Sequence, residues 1–190
     1  MMKLKVIKFN SVNSTNDIAV KLIKKKKISP SIIVTKNQKK GKGTRGKKWI
    51  SKKNNLFISI FFDISSSSIK FRQFSILNPY IIKSILKKYT KEKINIKWPN
   101  DLLIKKHKVS GILQETVFLD EKQYLIIGIG INTLVYPKNK DFKSTSLVKW
   151  SNKSINNSKI FNNIKVSYEE FISDINKYKI SYLKKKFCKD

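Results

Sequence analysis

The chain has 190 residues, 40% of them hydrophobic, and a formal net charge of +30 at pH 7. This length suits one globular domain with its own core, and no apolar run is long enough to span a membrane. The charge comes from lysines spread along the whole chain, and only Arg45 and Arg72 are arginine, which favours a biased codon usage over a dedicated nucleic-acid site.

The first part of the chain predicts a strand and then a helix. Residues 3–9 alternate apolar and polar side chains, as a strand does and a secretory signal does not. Together with Cys188, the single cysteine, this favours a cytoplasmic protein. The helix that follows has Ser14 as its predicted N-cap, with Asp17 three residues later in the spacing of a capping box.

Two further strands and a helix are predicted before the middle of the chain. Residues 31–36 form a short apolar run, and residues 55–63 give the clearest strand pattern in the sequence. Residues 71–89 carry apolar side chains at helical spacing, and Pro79 is expected to kink that helix.

The second half begins with closely spaced strand patterns, which predict an antiparallel meander over 94–98, 101–105, 109–119 and 123–132. Residues 133–166 are polar and predict a loop with room for one short helix. A last helix is predicted at about 167–186, with an apolar face formed by Tyr168, Phe171, Ile172, Ile175, Tyr178 and Tyr182. Clustered strands with helices at the ends predict an α+β domain with a mixed, largely antiparallel central sheet flanked by helices.

Glycine is confined to three short segments, since all six glycines lie at 41–46, 111 and 128–130. Glycine is needed where another group approaches closely or φ is positive, so we expect these segments to meet at one site. The first segment, GKGTRGKKW, adds lysines and Arg45, which suit a polyphosphate or a mixed anhydride. An exposed basic turn explains this segment equally well. Its G-x-G-x-x-G spacing is by itself weak support for a dinucleotide site, and no P-loop pair follows.

The segment KWPNDLLIKKHKVSGILQE places an amide and a carboxylate, Asn100 and Asp101, at a tight corner between two strands. Lys108 and Gly111 return beside them on the next strand. Such a group can orient a nucleophile and neutralise phosphate charge, while a charged hairpin turn is the plainer interpretation. Because His107 is the only histidine, no metal-ligand cluster or Ser/His/Asp arrangement can be assembled.

Four motifs, in order, resemble those of biotin-protein ligases. KWPND with the following Lys108 and GIL.E resembles the family signature, NSTND the biotin segment, QKKGKGTRGKKW the adenylate loop, and IIGIGIN the Gly-x-Gly-Ile-Asn strand. The resemblance runs from about residue 5 to STSL at 144–147. It implies a fold like that of class II aminoacyl-tRNA synthetases and biotin ligases. It also implies an ATP-dependent enzyme that forms biotinyl-5'-AMP and transfers biotin to a lysine of a biotin carboxyl carrier protein.

The resemblance further implies roles for individual residues. Biotin would contact Ser14, Thr15, Asn16, Gln38, Gly41, Lys42, Gly43, Thr44, Lys108 and Gly111. ATP would contact Lys42, Arg45, Gly46, Trp49, Asn100, Asp101 and Asn132. The catalytic residues would be Lys108, Asp101 and Arg45, with Mg²⁺ carried by the ATP phosphates and Asp101 as its possible protein ligand.

Three features depart from the family pattern. Thr44 stands where many members have arginine. The biotin segment begins at residue 14, so we expect one catalytic domain over 1–190 with no N-terminal helix-turn-helix domain and no specific DNA. The chain ends after the final helix, so the small C-terminal β-barrel domain is also expected to be absent.

Two other functions stay open, as does the oligomeric state, which is a monomer or a homodimer. A lipoate-protein ligase has a similar fold and similar adenylate chemistry. A nucleic-acid-binding protein that retains a ligase fold would use the lysines instead. No membrane partner is expected.

Overall fold

In the computed structural model, which describes residues 2–138 and 142–188, seven strands form one sheet and four α-helices pack on its faces. The strands are β1 (Lys5–Phe9), β2 (Ser31–Thr35), β3 (Leu56–Asp63), β4 (Ile94–Lys97), β5 (Asp101–Ile104), β6 (His107–Leu119) and β7 (Lys122–Ile131). The helices are α1 (Thr15–Lys24), α2 (Phe71–Leu86), α3 (Asn157–Ile175) and α4 (Ile180–Phe187). None of the described helices is long and apolar enough to cross a bilayer.

The sheet has the strand order β1-β2-β3-β7-β6-β5-β4. Strands β1 and β2 pair in parallel, and the other neighbours in the described sheet pair antiparallel. Two-residue turns with positive φ at both positions join β5 to β6 at 105–106 and β6 to β7 at 120–121, as the twist of a tight hairpin requires. The predicted α+β fold with a mixed, largely antiparallel sheet is confirmed, and so is the meander from β4 to β7.

Helix α1 begins where the sequence predicts, but its cap differs. Ser14 occupies the N-cap position, and its side chain makes no capping hydrogen bond. The predicted capping box is wrong, because the carboxylate of Asp17 bonds instead to Lys42, 25 residues further along the chain. Helix α2 runs through Pro79 without a break.

The C-terminal part contains two helices where the sequence predicted one. The prediction of a loop up to residue 166 is wrong, because α3 already begins at Asn157, after the side chain of Asn156 accepts hydrogen bonds from two backbone N–H groups. The first turns of α3 bury only Ile160 and Ile164 among polar residues, which hides the helical pattern. Helix α3 ends at Ile175, so Tyr178 and Tyr182 lie outside its apolar face and stack on each other in solvent.

The sheet separates two layers of core of unequal size. Helices α2, α3 and α4 cover one face, where most of the buried apolar side chains lie. Helix α1 covers part of the other face through a smaller cluster that includes Ala19, Ile23 and Phe61. Because α1 is short, the rest of this second face is left for loops, and a cleft opens there.

Candidate active site

A cleft of about 1260 Å³ lies beside α1 on the less covered face of the sheet. This volume exceeds the roughly 300–1,000 Å³ of a usual pocket for one drug-sized ligand. Its walls are the first turn of α1, the glycine loop (41–49), the β4–β5 corner (97–101), strands β6 and β7, and the segment after β7.

Most of the predicted site residues line this one cleft. They are Ser14, Thr15, Asn16, Gln38, Lys42, Gly43, Thr44, Arg45, Trp49, Asn100, Asp101, Lys108, Gly111 and Asn132. Two others lie outside the lining: Gly41 is buried under the loop, and Gly46 forms the loop's turn at a φ of 73°. The three glycine segments therefore do meet at one site.

One end of the cleft is a network of uncharged side chains backed by a single carboxylate. This network, called the polar floor below, consists of Thr15, Asn16, Gln38, Ser59 and Glu115. Gln38 Oε1 accepts a hydrogen bond from the backbone N–H of Thr15 at 2.9 Å and lies 3.1 Å from the Thr15 hydroxyl oxygen. Ser59 Oγ lies 2.6 Å from Thr15 Oγ1 and also bonds Asn16 Oδ1, while Asn16 Nδ2 donates to Glu115 Oε2.

The absence of a side chain at Gly128 makes room for the polar floor. A Cβ built at Gly128 would lie 2.5 Å from Asn16 Oδ1, well inside van der Waals contact. Asn16 is therefore fixed on three sides, by Gly128 on β7, Ser59 on β3 and Glu115 on β6. With only 3% of its surface exposed, its amide is set before any ligand arrives.

The glycine loop is folded back on itself. Trp49 N donates to Gly41 O at 2.9 Å, and Gly43 N donates to Lys47 O at 2.7 Å, so the two ends of the loop pair like a short hairpin. Arg45, at a φ of 54°, and Gly46 form its turn, and the Arg45 side chain is exposed. The loop thus carries its cationic groups at the edge of the cleft.

Lys42 ties this loop to α1 through its ion pair with Asp17. The hydrogen bond that Lys42 donates to Asp17 raises the pKa of Lys42, partial burial opposes the rise, and the negative charges of Asp17 and Glu115 add to it. Lys42 therefore stays cationic and connects the loop electrostatically to the polar floor.

Trp49 uses the room that two of the glycines leave. A Cβ built at Gly111 would lie 2.8 Å from the Trp49 ring and 3.1 Å from Lys108 Cε, and one built at Gly130 would collide with the same ring. The indole therefore lies flat on β6 and β7, inside the cleft. Its Nε1 is buried and finds no hydrogen-bond partner among residues 2–138 and 142–188.

The other end of the cleft holds an ion pair. Lys108 Nζ lies 2.7 Å from Asp101 Oδ1, and the two groups form an ion pair without the geometry of a hydrogen bond. Both side chains are about one-fifth exposed, at 21% and 20%, so Lys108 is partly buried. Its ammonium also lies 5.4 Å from the Trp49 ring and 5.7 Å from the Phe142 ring.

The β4–β5 corner is held against β6 by the backbone. Ile112 N donates to Asn100 O at 2.9 Å, and Asp101 pairs with Gly111 across the strands. A register shift between Leu102 and Leu103 brings Lys108 opposite Leu103, near the start of β6. Asn100, Asp101 and Lys108 are thereby brought together, as the sequence predicted.

Asn55 anchors the segment that follows β7. It is buried, its Oδ1 accepts from Leu134 N and Val135 N at 3.1 and 3.2 Å, and its Nδ2 donates to Val135 O at 2.8 Å. The same Nδ2 lies 3.4 Å from Asn132 Oδ1. Asn55 thus fixes the position of Asn132, which lines the cleft.

Sequence reasoning did not assign roles to Asn55, Ser59 and Glu115, none of which lines the cleft itself. The sequence does distinguish Ser59, because it is a polar residue in the otherwise apolar run LFISIFF. It also distinguishes Glu115, which ends the GIL.E motif. Within the described residues no group of three or more His, Cys, Asp or Glu side chains could hold a metal ion by itself.

Comparison with known proteins places this geometry in context. The profile of the biotin/lipoate A/B protein ligase family matches residues 8–132. The bifunctional ligase/repressor BirA of Escherichia coli (strain K12) is 32% identical over 123 residues, which are 64% of this chain and 38% of that protein. The chain therefore spans well under half the length of this relative.

Solved structures share the fold. Biotin protein ligase from Aquifex aeolicus, in complex with biotin and ATP, superposes with a TM-score of 0.79 and 25% identity, covering 96% of this chain and 76% of that one. Biotin protein ligase from Leishmania major, in complex with biotinyl-5-AMP, gives a TM-score of 0.75 at 22% identity, covering 97% of this chain and 80% of the other.

Proposed function

Because this chain belongs to the biotin/lipoate A/B protein ligase family, we propose that it activates biotin with ATP and transfers it to a lysine of a biotin carboxyl carrier protein. The reaction has two steps. The biotin carboxylate attacks the α-phosphate of ATP, which forms biotinyl-5'-AMP and releases pyrophosphate. The amine of the acceptor lysine then attacks the acyl carbon, loses a proton and displaces AMP, which leaves an amide.

The observation that carries this proposal is the asymmetry of the cleft. One end is uncharged at its surface and suits a neutral polar ring, while the other end concentrates cations around Lys108. A ligand with a polar ring, an apolar chain and a reacting carboxylate would span these two ends. Leu113 lines the path between them and offers apolar contacts to the chain.

We assign the ring of biotin to the polar floor. Ser14, Thr15, Asn16 and Gln38 would contact the ring directly, and Gly41, Lys42, Gly43 and Thr44 would close over it from the loop. The preformed hydrogen bond from the Thr15 backbone to Gln38 supports this assignment, since the two residues are already held in place before biotin binds. Gly111 contributes by admitting Trp49 and Lys108 to the cleft.

We assign charge stabilisation to Lys108. The biotin carboxylate and the α-phosphate are both anionic, and a partly buried ammonium within reach of both lowers the repulsion between them. Asp101, now paired with Lys108, would orient the acceptor amine in the second step. Arg45 would fold with the loop over the adenylate, where it excludes water from the mixed anhydride.

We assign the nucleotide to the end formed by Asn100, Asp101, Asn132 and Trp49, with Lys42 on its phosphates and Gly46 shaping the turn of the loop. The buried indole N–H of Trp49 supports this placement, because it is a donor without a partner among the described residues. Mg²⁺ would travel on the ATP phosphates, where it neutralises charge, and Asp101 is the one acidic side chain among the described residues that line the cleft. A cytoplasmic site of action is part of the proposal, since ATP is the co-substrate.

Biotin-dependent ATP–pyrophosphate exchange tests the first step. We expect exchange with biotin and none without an acid. A well-folded protein that shows no exchange with biotin contradicts the proposal. Exchange with lipoate alone would instead reassign the acid, since lipoate ligases belong to the same family description.

A further inference from the structure

The polar floor has more oxygen contacts than protons to fill them. Three oxygen pairs are within hydrogen-bond distance: Thr15 Oγ1 with Gln38 Oε1 at 3.1 Å, Ser59 Oγ with Thr15 Oγ1 at 2.6 Å, and Ser59 Oγ with Asn16 Oδ1. Only the two hydroxyl groups can donate within these pairs. One of the three pairs therefore lacks a proton. Which pair this is depends on the direction of the other two hydrogen bonds.

Glu115 sets that direction. An ionised carboxylate only accepts hydrogen bonds, so the side of the Asn16 amide that faces Glu115 must be the NH₂ group. The amide oxygen of Asn16 then faces Ser59, and because it too is only an acceptor, the Ser59 hydroxyl must donate to it. The orientation of the Asn16 amide thus follows from the chemistry of the carboxylate beside it.

The remaining directions follow one after another. Ser59 has given its only proton to Asn16, so the hydroxyl of Thr15 donates to Ser59. No proton is left between Thr15 Oγ1 and Gln38 Oε1, and the Thr15 backbone N–H keeps the oxygen of the Gln38 amide in place. Both of these residues line the cleft.

We propose that Glu115 is a positioning residue that orients this relay so that Thr15 and Gln38 offer unfilled oxygen acceptors to an N–H donor on the ligand. The inference rests on the proposed function and deepens it. The ring of biotin carries two N–H groups and supplies the missing proton, while the dithiolane ring of lipoate has none. Glu115 thereby determines which acid the cleft selects, although it does not line the cleft.

Replacing the carboxylate removes the fixed direction. In Glu115→Gln the new side chain can present its own NH₂ group, and the Asn16 amide is free to turn over. Ser59 then donates to Thr15, and Thr15 donates to Gln38. The pair Thr15–Gln38 now has its own proton, so it no longer offers unfilled acceptors to the ligand. We expect the Kd for biotin to rise about tenfold, the equivalent of one lost hydrogen bond. The Kd for lipoate should stay unchanged.

Ser59→Ala tests the same relay from another strand. Without the Ser59 hydroxyl, Thr15 donates to Gln38, and the pair again has its own proton. The Kd for biotin should rise as it does in Glu115→Gln, and the double variant should bind no more weakly than either single variant, because both break one relay. If Glu115 and Ser59 each had a separate structural role and did not act through one relay, the losses in biotin affinity of the two single variants would add in the double variant.

Isothermal titration calorimetry of the full chain with biotin and with lipoate measures these effects, and thermal unfolding confirms that each variant folds. The matched control is Glu121→Gln, a carboxylate-to-amide change at the exposed turn of the same hairpin, which should bind both acids as the wild type does. Equal biotin affinity of Glu115→Gln and the wild type, equal weakening of both acids, or additive losses in the double variant would overturn the inference alone. A wild-type protein that binds no biotin would overturn the proposed function as well.

Discussion

The two ends of the cleft are built on different principles. The polar floor is held by hydrogen bonds among buried and half-buried side chains from α1, β3 and β6, including one to the carboxylate of Glu115, and the absence of a side chain at Gly128 makes room for them. The opposite end is held by one partly exposed ion pair, Lys108 with Asp101, and by aromatic rings. The first arrangement is rigid and selects, while the second can exchange one anion for another and so suits a reaction in which charge moves.

The largest effect should come from removing the cation at the reactive end. Lys108→Ala takes away the ammonium that would stabilise the developing charge, and we expect pyrophosphate exchange to fall by about 10²–10³-fold. Because the side chain is not part of the apolar core, the fold should survive, as circular dichroism can check. The control is Lys91→Ala, an exposed lysine away from the cleft. Undiminished exchange in Lys108→Ala would refute the role assigned to this lysine.

Two glycine variants can separate the ends from each other. In Gly128→Ala the new methyl group presses on Asn16, and in Gly130→Ala it presses on the ring of Trp49. Each overpacked site should cost about 1–3 kcal/mol of unfolding free energy. Steady-state exchange kinetics should show a raised KM for biotin in the first variant and a raised KM for ATP in the second. If both variants change the two KM values alike, the division of the cleft is wrong.

A third variant tests the nucleotide end through Asn55, a buried residue that does not itself line the cleft. Asn55→Ala removes the hydrogen bonds that hold Leu134, Val135 and Asn132 in place. We expect about a tenfold higher KM for ATP with an unchanged KM for biotin. Asn157→Ala is the matched control, since Asn157 donates to the backbone of Asn54, the residue before Asn55, and not to the segment after β7. An effect of Asn55→Ala confined to thermal stability would show that it is only a structural anchor.

The smallest effect concerns the ion pair between Lys42 and Asp17. The folded-state pKa of Lys42 lies above its ordinary value of 10.5, so the stabilisation is complete below that pH and is lost as the pH rises through the folded-state pKa. Both side chains are substantially exposed, so Asp17→Asn should cost only about 0–1 kcal/mol. Chemical denaturation at pH 8 and pH 11 should show this difference at the lower pH and a smaller one at the higher pH. A difference that grows with pH would contradict the sign.

The strands and the location of the site could be predicted because they depend on local patterns. Alternation of side chains marks β1 and β3, and the scarcity of glycine elsewhere marks the three segments that meet at the cleft. The start of α3 could not be predicted, because it buries few apolar residues among asparagines. The lack of a capping box on α1 could not be predicted either, since the partner that Asp17 finds lies on a distant loop.

The supporting residues of the site were beyond the reach of sequence patterns for a similar reason. Asn16 is 99 residues from Glu115, and Asn55 is 80 residues from Val135. Only the sheet order, which places β3 next to β7 and β7 next to β6, brings such residues together. The glycines at 111 and 130 could be recognised as close approaches, but not that Trp49 is the side chain that approaches.

The measurement that tests the central claim most directly is mass spectrometry of the small molecules formed when the chain is mixed with biotin, ATP and Mg²⁺. Biotinyl-5'-AMP should form with the wild-type protein, and Lys108→Ala should produce almost none. If the folded wild-type protein yields no biotinyl-5'-AMP while it binds both substrates, the cleft does not activate biotin, and the function proposed for it is wrong.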